Sequence, residues 1–591
     1  MKSKVLHALF VFTMTFAVYL PSANYNLVRI DDPEYILENR HIEQGLTYEA
    51  IKWAFTDVGY ASNWHPLTWI SHAFDVSIAR YFDMTGSHPD HNPHAWIRND
   101  SKAAHIMHAN NVLLHAFNAT FLFILIIMLM DLVKHNDLIH VTTEPLETKS
   151  NYEWIFSKPA LATFATLIWA IHPLRCEVVC WVSERKELLS VFFMLLTLIF
   201  WLKSKGCDGS PLYYALSLVF FVLALLSKPV AVTLPVVLLA CEWILMRRPF
   251  HKVFLQTSPF VVLSACVCII TLSAQTEALE FGKQISWPLR IECALEAPIV
   301  YLRQTIFPSG LSPVYLRGVE TDWPLAIAGV AFLGIMFWIC ARWLLRKERT
   351  IGVLMFIIAW SYIGLLPMIG LVKVGGQAHS DRYTYWIGCG IVAGMAIVFN
   401  MFMKPAILRN RQIFAVPCGI VAMFCLLTME RSSYWNSTIT LYKDTVSKSH
   451  DAEIAFELAD ELVRTQKRGA LKEAEIMLRD TVSSNPDPKA YAALAYFLAF
   501  HSTGQAMLTD PEAGSFLEAR SLANKALSMD FECWIAHAAL AACNARDRRW
   551  EDAVKCGEKA ISIGVNDVGF IDFVSECRLN ASRNNKLKGG L

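Results

Sequence analysis

Two adjacent carboxylates, Asp31 and Asp32, follow the first apolar segment of the chain, which runs from about residue 5 to residue 20. A carboxylate at the exit of a membrane helix can act as a general base on a hydroxyl that attacks a lipid-linked substrate. Partial removal from water would raise its pKa and make it a better base. Neighbouring side chains diverge, so we expect one carboxylate to act and the other to orient it. In the alternative interpretation, the pair caps the following helical turn or binds headgroup cations.

Charged and polar clusters at the predicted outer ends of other apolar segments could complete such a site. A leaving phosphate gains negative charge during transfer, and arginine or lysine side chains stabilise that charge. The candidates for binding a donor phosphate or its sugar are Arg185, Lys228, Arg382, Arg303, His172, Glu177, His65 and Tyr383. The alternative for any single cation is snorkelling towards the interface. That alternative is weakest for Lys228, because it interrupts an apolar run from 211 to 245 and would be costly there without a partner.

Histidines in and after the first loop raise the question of a metal site. They are His88, His91, His94, His105 and His108. His105 and His108 are one helical turn apart, but carboxylate ligands at fixed offsets are lacking and the other three lie in a proline-containing stretch. A zinc site needs three or four converging ligands. We therefore expect interfacial hydrogen bonding by these histidines and no metal.

The composition indicates which class of protein would hold these residues. Of 591 residues, 54% are hydrophobic and 18% are charged, and the mean hydropathy is +0.35. This is far more apolar than a soluble enzyme, and it predicts an all-α polytopic membrane protein. The formal net charge of +1 gives no indication of nucleic-acid binding. The first apolar segment could be a cleaved signal peptide, but no clear small-x-small cleavage site precedes the aspartates, so we interpret it as a membrane helix.

The apolar segments predict about eleven transmembrane helices. They lie near residues 5–20, 104–130, 159–171, 187–202, 211–226, 229–245, 253–273, 323–344, 351–371, 384–403 and 412–428. Lysine and arginine collect in alternate short loops, which the positive-inside rule assigns to the cytoplasm. Counting back puts the N-terminus in the cytoplasm, and the loop 29–103 and everything after residue 428 on the extracytoplasmic side, in a periplasm or lumen. The count requires the charged segment 289–307 to be an interfacial or re-entrant helix.

A helical repeat begins where the apolar segments end. Ala519 and Ala553 are 34 residues apart, as are Ala526 and Ala560, and this is the period of tetratricopeptide repeats. We therefore predict a membrane domain at 1–430, a linker at 431–450 and a tetratricopeptide repeat α-solenoid at 451–591. Stacked repeats form a groove that usually receives a peptide. Exposed asparagine and aromatic residues in that groove would favour a peptide, and a shallow, charged groove would weaken this interpretation.

Several motifs occur in the order in which one known family carries them. They are Asp31-Asp32 with Tyr35 and Asn39, residues 64–69 with Asp75, residues 172–179 running into 183–187, residues 227–229 leading to 232–235, residues 381–385, and Tyr434-Trp435 before the repeats. Over nearly its whole length the chain resembles the transmembrane and tetratricopeptide repeat containing proteins. These are O-mannosyltransferases of the GT-C glycosyltransferase superfamily, and bacteria have related proteins.

The resemblance implies a GT-C membrane domain whose first extracytoplasmic loop, residues 29–103, carries the catalytic aspartate. It also implies a polyprenyl- or dolichyl-phosphate sugar as donor, no metal cofactor, inversion of the anomeric centre, and repeats that present a protein acceptor. By analogy with the superfamily, Asp31 is the first candidate for the base and Asp32 the second. The repeat array is shorter than in animal members, so the acceptor and the sugar, expected to be mannose, stay open.

The preferred interpretation is an inverting glycosyltransferase acting on Ser/Thr hydroxyls of extracytoplasmic proteins. The same fold could instead glycosylate a glycan or lipid of the cell envelope. A non-catalytic membrane anchor could display the repeats as an assembly platform, but it would have no need of the aspartate pair. A transporter would fit the many spans and the intramembrane Lys228, yet it is weakened by the large first loop and by the lack of a visible internal repeat among the spans.

Overall fold

A computed structural model describes residues 2–82, 101–135, 158–206, 209–276, 286–315, 323–369, 371, 379–402, 412–501, 514–565 and 567–588. In these residues all regular secondary structure is helical, as the all-α prediction required. His88, His91 and His94 lie outside the described residues. The chain divides into two compact units, Met1–Ser437 and Thr438–Leu591.

The first unit contains the apolar helices and the first loop. Its α-helices, within the described residues, are α1 (Lys2–Tyr19), α2 (Tyr48–Thr56), α3 (Pro66–Tyr81), α4 (Lys102–His135), α5 (Lys158–Ala170), α6 (Cys176–Cys180), α7 (Arg185–Ser204), α8 (Pro211–Ser227), α9 (Leu234–Ala240), α10 (Phe250–Ala274), α11 (Trp287–Ile306), α12 (Trp323–Arg346), α13 (Arg349–Leu365), α14 (Thr384–Phe402) and α15 (Gln412–Ser433).

Eight segments in the described part of this unit are long and apolar enough to cross a membrane, and they contain α1, α4, α7, α10, α12, α13, α14 and α15. The segments Pro211–Ser227 and Pro229–Leu245 are shorter apolar helices, and α5, with 13 residues, falls well short of the twenty or so that a span needs. The charged helix α11 is not among the eight. The protein is therefore an all-α polytopic integral membrane protein, and its described residues contain eight candidate spans by length and composition, against about eleven predicted for the whole chain. The side of the membrane on which each loop lies stays a prediction.

A proline divides the apolar run from 211 to 245 into two elements. Helix α8 ends at Ser227, and Lys228 is extended, with φ −158° and ψ 135°. The residue before a proline is driven out of the helical region by the proline ring, so Pro229 accounts for the break. The chain then resumes as a 3-10 turn, Pro229–Thr233, and α9. The break leaves Lys228 between two helical segments, where its side chain can reach α7.

The described part of the first loop, residues 29–82 and 101–103, is packed rather than extended. It contains the helices α2 and α3. A buried cluster joins Tyr35 and Trp69 of this loop to Met107 of α4 and Val182 before α7. Apolar burial of this kind fixes the loop on the membrane helices. The aspartates at 31 and 32 therefore belong to a rigid element, which a site needs for its geometry.

The second unit is built from antiparallel helices packed in chain order. They are α16 (Thr438–Ser449), α17 (Ala452–Arg464), α18 (Ala470–Ser484), α19 (Pro488–Phe500), α20 (Gly514–Met529), α21 (Trp534–Arg546), α22 (Trp550–Ile563) and α23 (Val568–Lys588). Each helix from α16 to α22 contacts the next, and α19 also contacts α17 and α21. The four alanines at the 34-residue period occupy matching, fully buried positions on α20 and α22. This packing is compatible with stacked repeats, and the tetratricopeptide α-solenoid stays a prediction.

Candidate functional site

Asp32 is a buried anchor between the first loop and the turn before α7. Its Oδ2 accepts the Val28 backbone N–H at 2.9 Å, and its Oδ1 accepts the Ser183 backbone N–H at 3.0 Å and the Ser183 hydroxyl at 2.5 Å. Its side chain makes no capping bond to the helical turn Pro33–Leu37. The capping interpretation is therefore wrong for Asp32, because its oxygens are held by a turn 151 residues away in sequence.

Asp31 is the more accessible of the two carboxylates. Its side chain is 38% exposed, and its Oδ2 lies 3.5 Å from Lys186 Nζ. Lys186 Nζ also donates to the Tyr35 hydroxyl at 3.1 Å and lies 3.3 Å from Glu184 Oε1. The two aspartates thus diverge as expected. Asp31 reaches the protein surface, and Asp32 points into the interior. Of the two, only Asp31 offers an oxygen to a hydroxyl arriving from outside.

The four charged residues at 184–187, at the start of α7, point in different directions. A 3-10 turn, Val182–Glu184, leads into the helix at Arg185. Successive helical residues are about 100° apart, while residues three apart share a face. Lys186 therefore points to Asp31, whereas Glu184 and Glu187 both point to Lys228.

Lys228 forms ion pairs with two buried carboxylates. Its Nζ lies 3.1 Å from Glu184 Oε2 and 2.9 Å from Glu187 Oε2. The extended backbone before Pro229 brings the side chain to α7, and the Ser227 carbonyl is fixed by the Thr68 hydroxyl at 2.9 Å. A buried ammonium group needs such pairing, because an isolated charge would be strongly disfavoured.

Arg382 completes the cluster from the turn before α14. Its Nη1 lies 2.5 Å from Glu177 Oε1, and its backbone N–H donates to Glu177 Oε2 at 3.0 Å. Its Nε lies 3.6 Å from Glu184 Oε1. Three cations from different parts of the chain, Lys186, Lys228 and Arg382, therefore surround the carboxylate of Glu184. We call these four residues the charge cluster.

The exposure of the charged side chains shows how this region is layered. The three cations are 10, 16 and 15% exposed, whereas Glu184, Glu187 and Glu177 are each 1 or 2% exposed. The carboxylates lie behind the cations. A ligand that reaches this surface therefore meets positive charge first, beside the carboxylate of Asp31.

Arg185, a candidate phosphate ligand from the sequence, has a structural position. Its Nη1 lies 2.5 Å from Asp75 Oδ2, its Nε donates to Asn111 Oδ1 at 2.6 Å, and its Nη2 donates to the Met107 carbonyl at 2.6 Å. The Arg185 and Asp75 side chains are each 1% exposed. The guanidinium joins α3, α4 and α7 and is closed to a ligand in this conformation.

His65 lies between the aromatic cluster of the first loop and the charge cluster. Its ring is 4.5 Å from the Trp69 ring and 5.5 Å from the Tyr35 ring, measured between centroids. Burial holds the pKa of His65 well below its ordinary value, and Lys186 and Lys228 act in the same direction. Its Nε2 has no hydrogen-bond partner among the described residues. The ring is 1% exposed, so the predicted contact to a sugar hydroxyl would require it to become accessible.

His172, a candidate donor contact from the sequence, caps the turn that follows it. Its Nδ1 accepts the Leu174 N–H at 3.2 Å, and its Nε2–H donates to the Thr305 carbonyl at 3.0 Å. Burial lowers the pKa of His172 to about 3, so the ring is neutral. Both nitrogens are used within the fold.

Arg303 is not brought to the charge cluster. It is exposed on α11, whereas Tyr301 on the same helix is buried and its hydroxyl accepts the Ser380 N–H at 3.2 Å. Residues two apart on a helix point in nearly opposite directions, so only one of them can face the site. Tyr383 is half-buried, and its ring lies 5.2 Å from the Arg382 guanidinium.

Glu184, Lys186 and Asp381 were not singled out from the sequence, although they stand in the motifs that were. The Tyr315 hydroxyl donates to Asp381 Oδ1 at 2.5 Å, which ties the segment before residue 316 to the turn that carries Arg382. The signal that could have identified Glu184 and Lys186 was the density of charge at 184–187, directly before an apolar helix. Such a run must find partners when it is buried.

The described residues contain no group of three or more His, Cys, Asp or Glu side chains arranged to hold a metal ion. Of the two described histidines considered for metal binding, His108 is buried and its Nε2 contacts the Asn26 carbonyl at 3.3 Å. This is an interaction with the polypeptide rather than with the membrane interface.

Asp32 should give the protein a pH-dependent stability. Burial raises the pKa of Asp32 from 3.8 to about 6, although hydrogen bonds from Ser183 and Val28 oppose this shift. Between about pH 4 and pH 6 the folded state retains a proton on Asp32 that the unfolded state has released. The contribution of Asp32 to the free energy of unfolding therefore falls as pH rises. We expect the free energy of unfolding of wild type, relative to Asp32→Asn, to fall by about 3 kcal/mol from pH 4 to pH 7. Denaturant titrations in detergent would measure it, and a difference that rises with pH would contradict this assignment.

These features define a polytopic α-helical membrane protein with an exposed carboxylate beside a partly buried charge cluster, followed by a unit of stacked helical hairpins. Among curated proteins, the chain is similar to the human Protein O-mannosyl-transferase TMTC3. The two are 21% identical over 281 residues, which cover 45% of this chain and 29% of the relative. The match therefore spans less than a third of that relative's length. No family model matches the chain. The similarity supports a glycosyltransferase-like protein.

Proposed function

We propose that this protein is an inverting glycosyltransferase that moves a sugar from a polyprenyl-phosphate donor to Ser/Thr hydroxyls of extracytoplasmic proteins. The observation that carries the proposal is the position of Asp31 beside Lys186, with 3.5 Å between carboxylate oxygen and ammonium nitrogen. A transfer of this kind needs a base for the acceptor and cations for the leaving phosphate at neighbouring positions. The similarity to the human O-mannosyltransferase agrees with this chemistry, and mannose is the sugar we propose.

In the proposed reaction, Asp31 accepts the proton of the acceptor hydroxyl as its oxygen attacks the anomeric carbon of the sugar. The bond between that carbon and the phosphate oxygen breaks, and its electron pair stays on the phosphate. Lys186, Lys228 and Arg382 offset the charge that develops there. Asp32 fixes the backbone that carries Asp31. No metal ion is required in this scheme, because the three cations supply the positive charge.

A row of aromatic rings in the second unit supports a protein acceptor. Phe456 of α17 lies 5.2 Å from Tyr496 of α19 and 5.9 Å from Trp534 of α21, between ring centroids. Phe500 extends the row at 4.5 Å from Tyr496. All four side chains are partly exposed. Aromatic side chains are enriched where proteins bind peptides, so this row favours a peptide over an envelope glycan or lipid.

Removing a ring from this row should weaken acceptor binding without affecting the reaction centre. We expect Phe456→Ala to raise KM for a protein acceptor about tenfold, as truncation of an aromatic anchor commonly does, and to leave kcat near that of wild type. The measurement is transfer at varied acceptor concentration. Leu517→Ala is the matched control, because Leu517 is 76% exposed on α20, outside the row. Equal effects of both changes, or none from Phe456→Ala, would argue against the row as the acceptor surface.

The experiment that tests the function is sugar transfer by the purified full-length protein in proteoliposomes. Radiolabelled polyprenyl-phosphate mannose and polyprenyl-phosphate glucose are supplied separately with a mixture of extracytoplasmic proteins. Label in protein supports the proposal and identifies the sugar. Label in lipid or glycan alone would favour the envelope acceptor. Failure to label any acceptor from either donor, by protein shown to be folded, would favour the assembly platform.

A further inference from the structure

We infer that Glu184 determines which phosphate the site retains. It favours binding of the singly charged phosphodiester of a donor over the doubly charged phosphomonoester of the released lipid. Glu184 is a positioning residue in this inference, because it contacts the cations and not the substrate. The inference rests on the proposed function and deepens it by assigning a role in product release.

The geometry that supports this inference is a carboxylate held among three cations. Glu184 Oε1 lies 3.3 Å from Lys186 Nζ and 3.6 Å from Arg382 Nε, and Oε2 lies 3.1 Å from Lys228 Nζ. Among described residues, Glu184 is the carboxylate that contacts all three of these cations. Its side chain is also 1% exposed, so it stays behind the cations and solvent does not screen its charge. A fixed negative charge at that position acts on any anion that binds in front.

The charge of the ligand changes during the proposed reaction. A polyprenyl-phosphate sugar is a diester with one negative charge. Cleavage between the sugar carbon and the phosphate oxygen leaves a monoester, whose second ionisation has a pKa of about 6, so that it carries nearly two charges above pH 7. Without Glu184, each cation would keep one other carboxylate partner, Asp31, Glu187 or Glu177, and the three would hold this product more tightly than the donor. The Glu184 carboxylate repels each ligand in proportion to its charge, and so it penalises the product about twice as strongly.

The experiment measures binding of two probes that differ by one methyl group and one charge. They are farnesyl monophosphate and its methyl ester, methyl farnesyl phosphate, titrated into the full-length protein in detergent at pH 8 and pH 5. At pH 8 we expect Glu184→Gln to bind the diester about tenfold more tightly than wild type and the monoester about a hundredfold more tightly. At pH 5 the monoester carries one charge, and its gain should fall to that of the diester.

Glu242→Gln is the matched control. Glu242 is a fully buried carboxylate paired with Lys205 and Arg248. Lys205 follows the C-terminal end of α7, whereas Glu184 precedes its N-terminal end, and the 20 residues between them span about 30 Å. Glu242→Gln therefore removes the same kind of charge far from the site. The ratio of the monoester affinity to the diester affinity should stay that of wild type.

Wild type provides a measurement that does not depend on the variant folding. Its preference for the diester over the monoester should be larger at pH 8 than at pH 5. A wild type that prefers the monoester at pH 8, or a Glu184→Gln variant that gains equally for both probes there, would overturn the inference and leave the proposed function standing. A wild type that binds neither probe would overturn the donor site of the proposed function together with this inference.

Discussion

Asp31→Asn should reduce sugar transfer by about a hundredfold or more, because a general base contributes roughly that much or more to such a step. The change keeps the size of the side chain and removes its ability to accept the proton of the acceptor hydroxyl. Asp31 is partly exposed and lies 3.5 Å from a single lysine, so the fold should tolerate the substitution. The measurement is the initial rate of label transfer in proteoliposomes, with thermal unfolding recorded on the same preparation.

Two carboxylates nearby serve as controls for Asp31→Asn. Glu34→Gln changes an exposed carboxylate one helical turn further on and should leave the rate within about threefold of wild type. Asp32→Asn should instead lower stability, because an amide must direct its NH₂ group at the Val28 or Ser183 N–H, which leaves one buried donor without an acceptor, at a cost of about 1–3 kcal/mol. If Asp32→Asn abolished transfer while unfolding like wild type, Asp32 would be the base and Asp31 would not.

Arg185→Gln should lower the free energy of unfolding by about 3–5 kcal/mol, the usual effect of removing one partner from a buried ion pair. The guanidinium is bonded to Asp75, Asn111 and the Met107 carbonyl, so all of these groups would lose a partner at once. Asp75→Asn should have a similar effect. The double variant should cost less than the sum of the two, since each change already breaks the same pair. Denaturant unfolding in detergent measures all three.

The exposed pair Arg342–Glu348 provides the comparison for Arg185. Both side chains are more than a third exposed, with 2.8 Å between nitrogen and oxygen. Surface pairs contribute about 0–1 kcal/mol, so Arg342→Gln should be close to neutral. If Arg185→Gln unfolded like wild type but lost binding of the diester probe, Arg185 would be a ligand contact, as the sequence had indicated, and not a structural residue.

The sequence by itself determined the class of the protein. Apolar segments with few charges permit only helices in a membrane, because every backbone polar group must find its partner within the segment. The alanines at a 34-residue period likewise predicted closely packed helices, and all four are buried. The sequence also located the loop with the aspartates and the interruption at Lys228, where one apolar segment ends at 226 and the next begins at 229 with a proline.

Only the tertiary structure decided which charged residues face one another. Asp31 and Asp32 are neighbours with the same side chain, yet Asp31 reaches the surface and Asp32 is held by Ser183, 151 residues away. Arg185 and Lys186 are neighbours, but the helical turn of about 100° sends one into the protein and the other to the site. Long-range partners, Asp75 for Arg185 and Asp31 for Lys186, select these directions. Their positions depend on how α3, α7 and α8 pack, and local sequence carries no information about that packing.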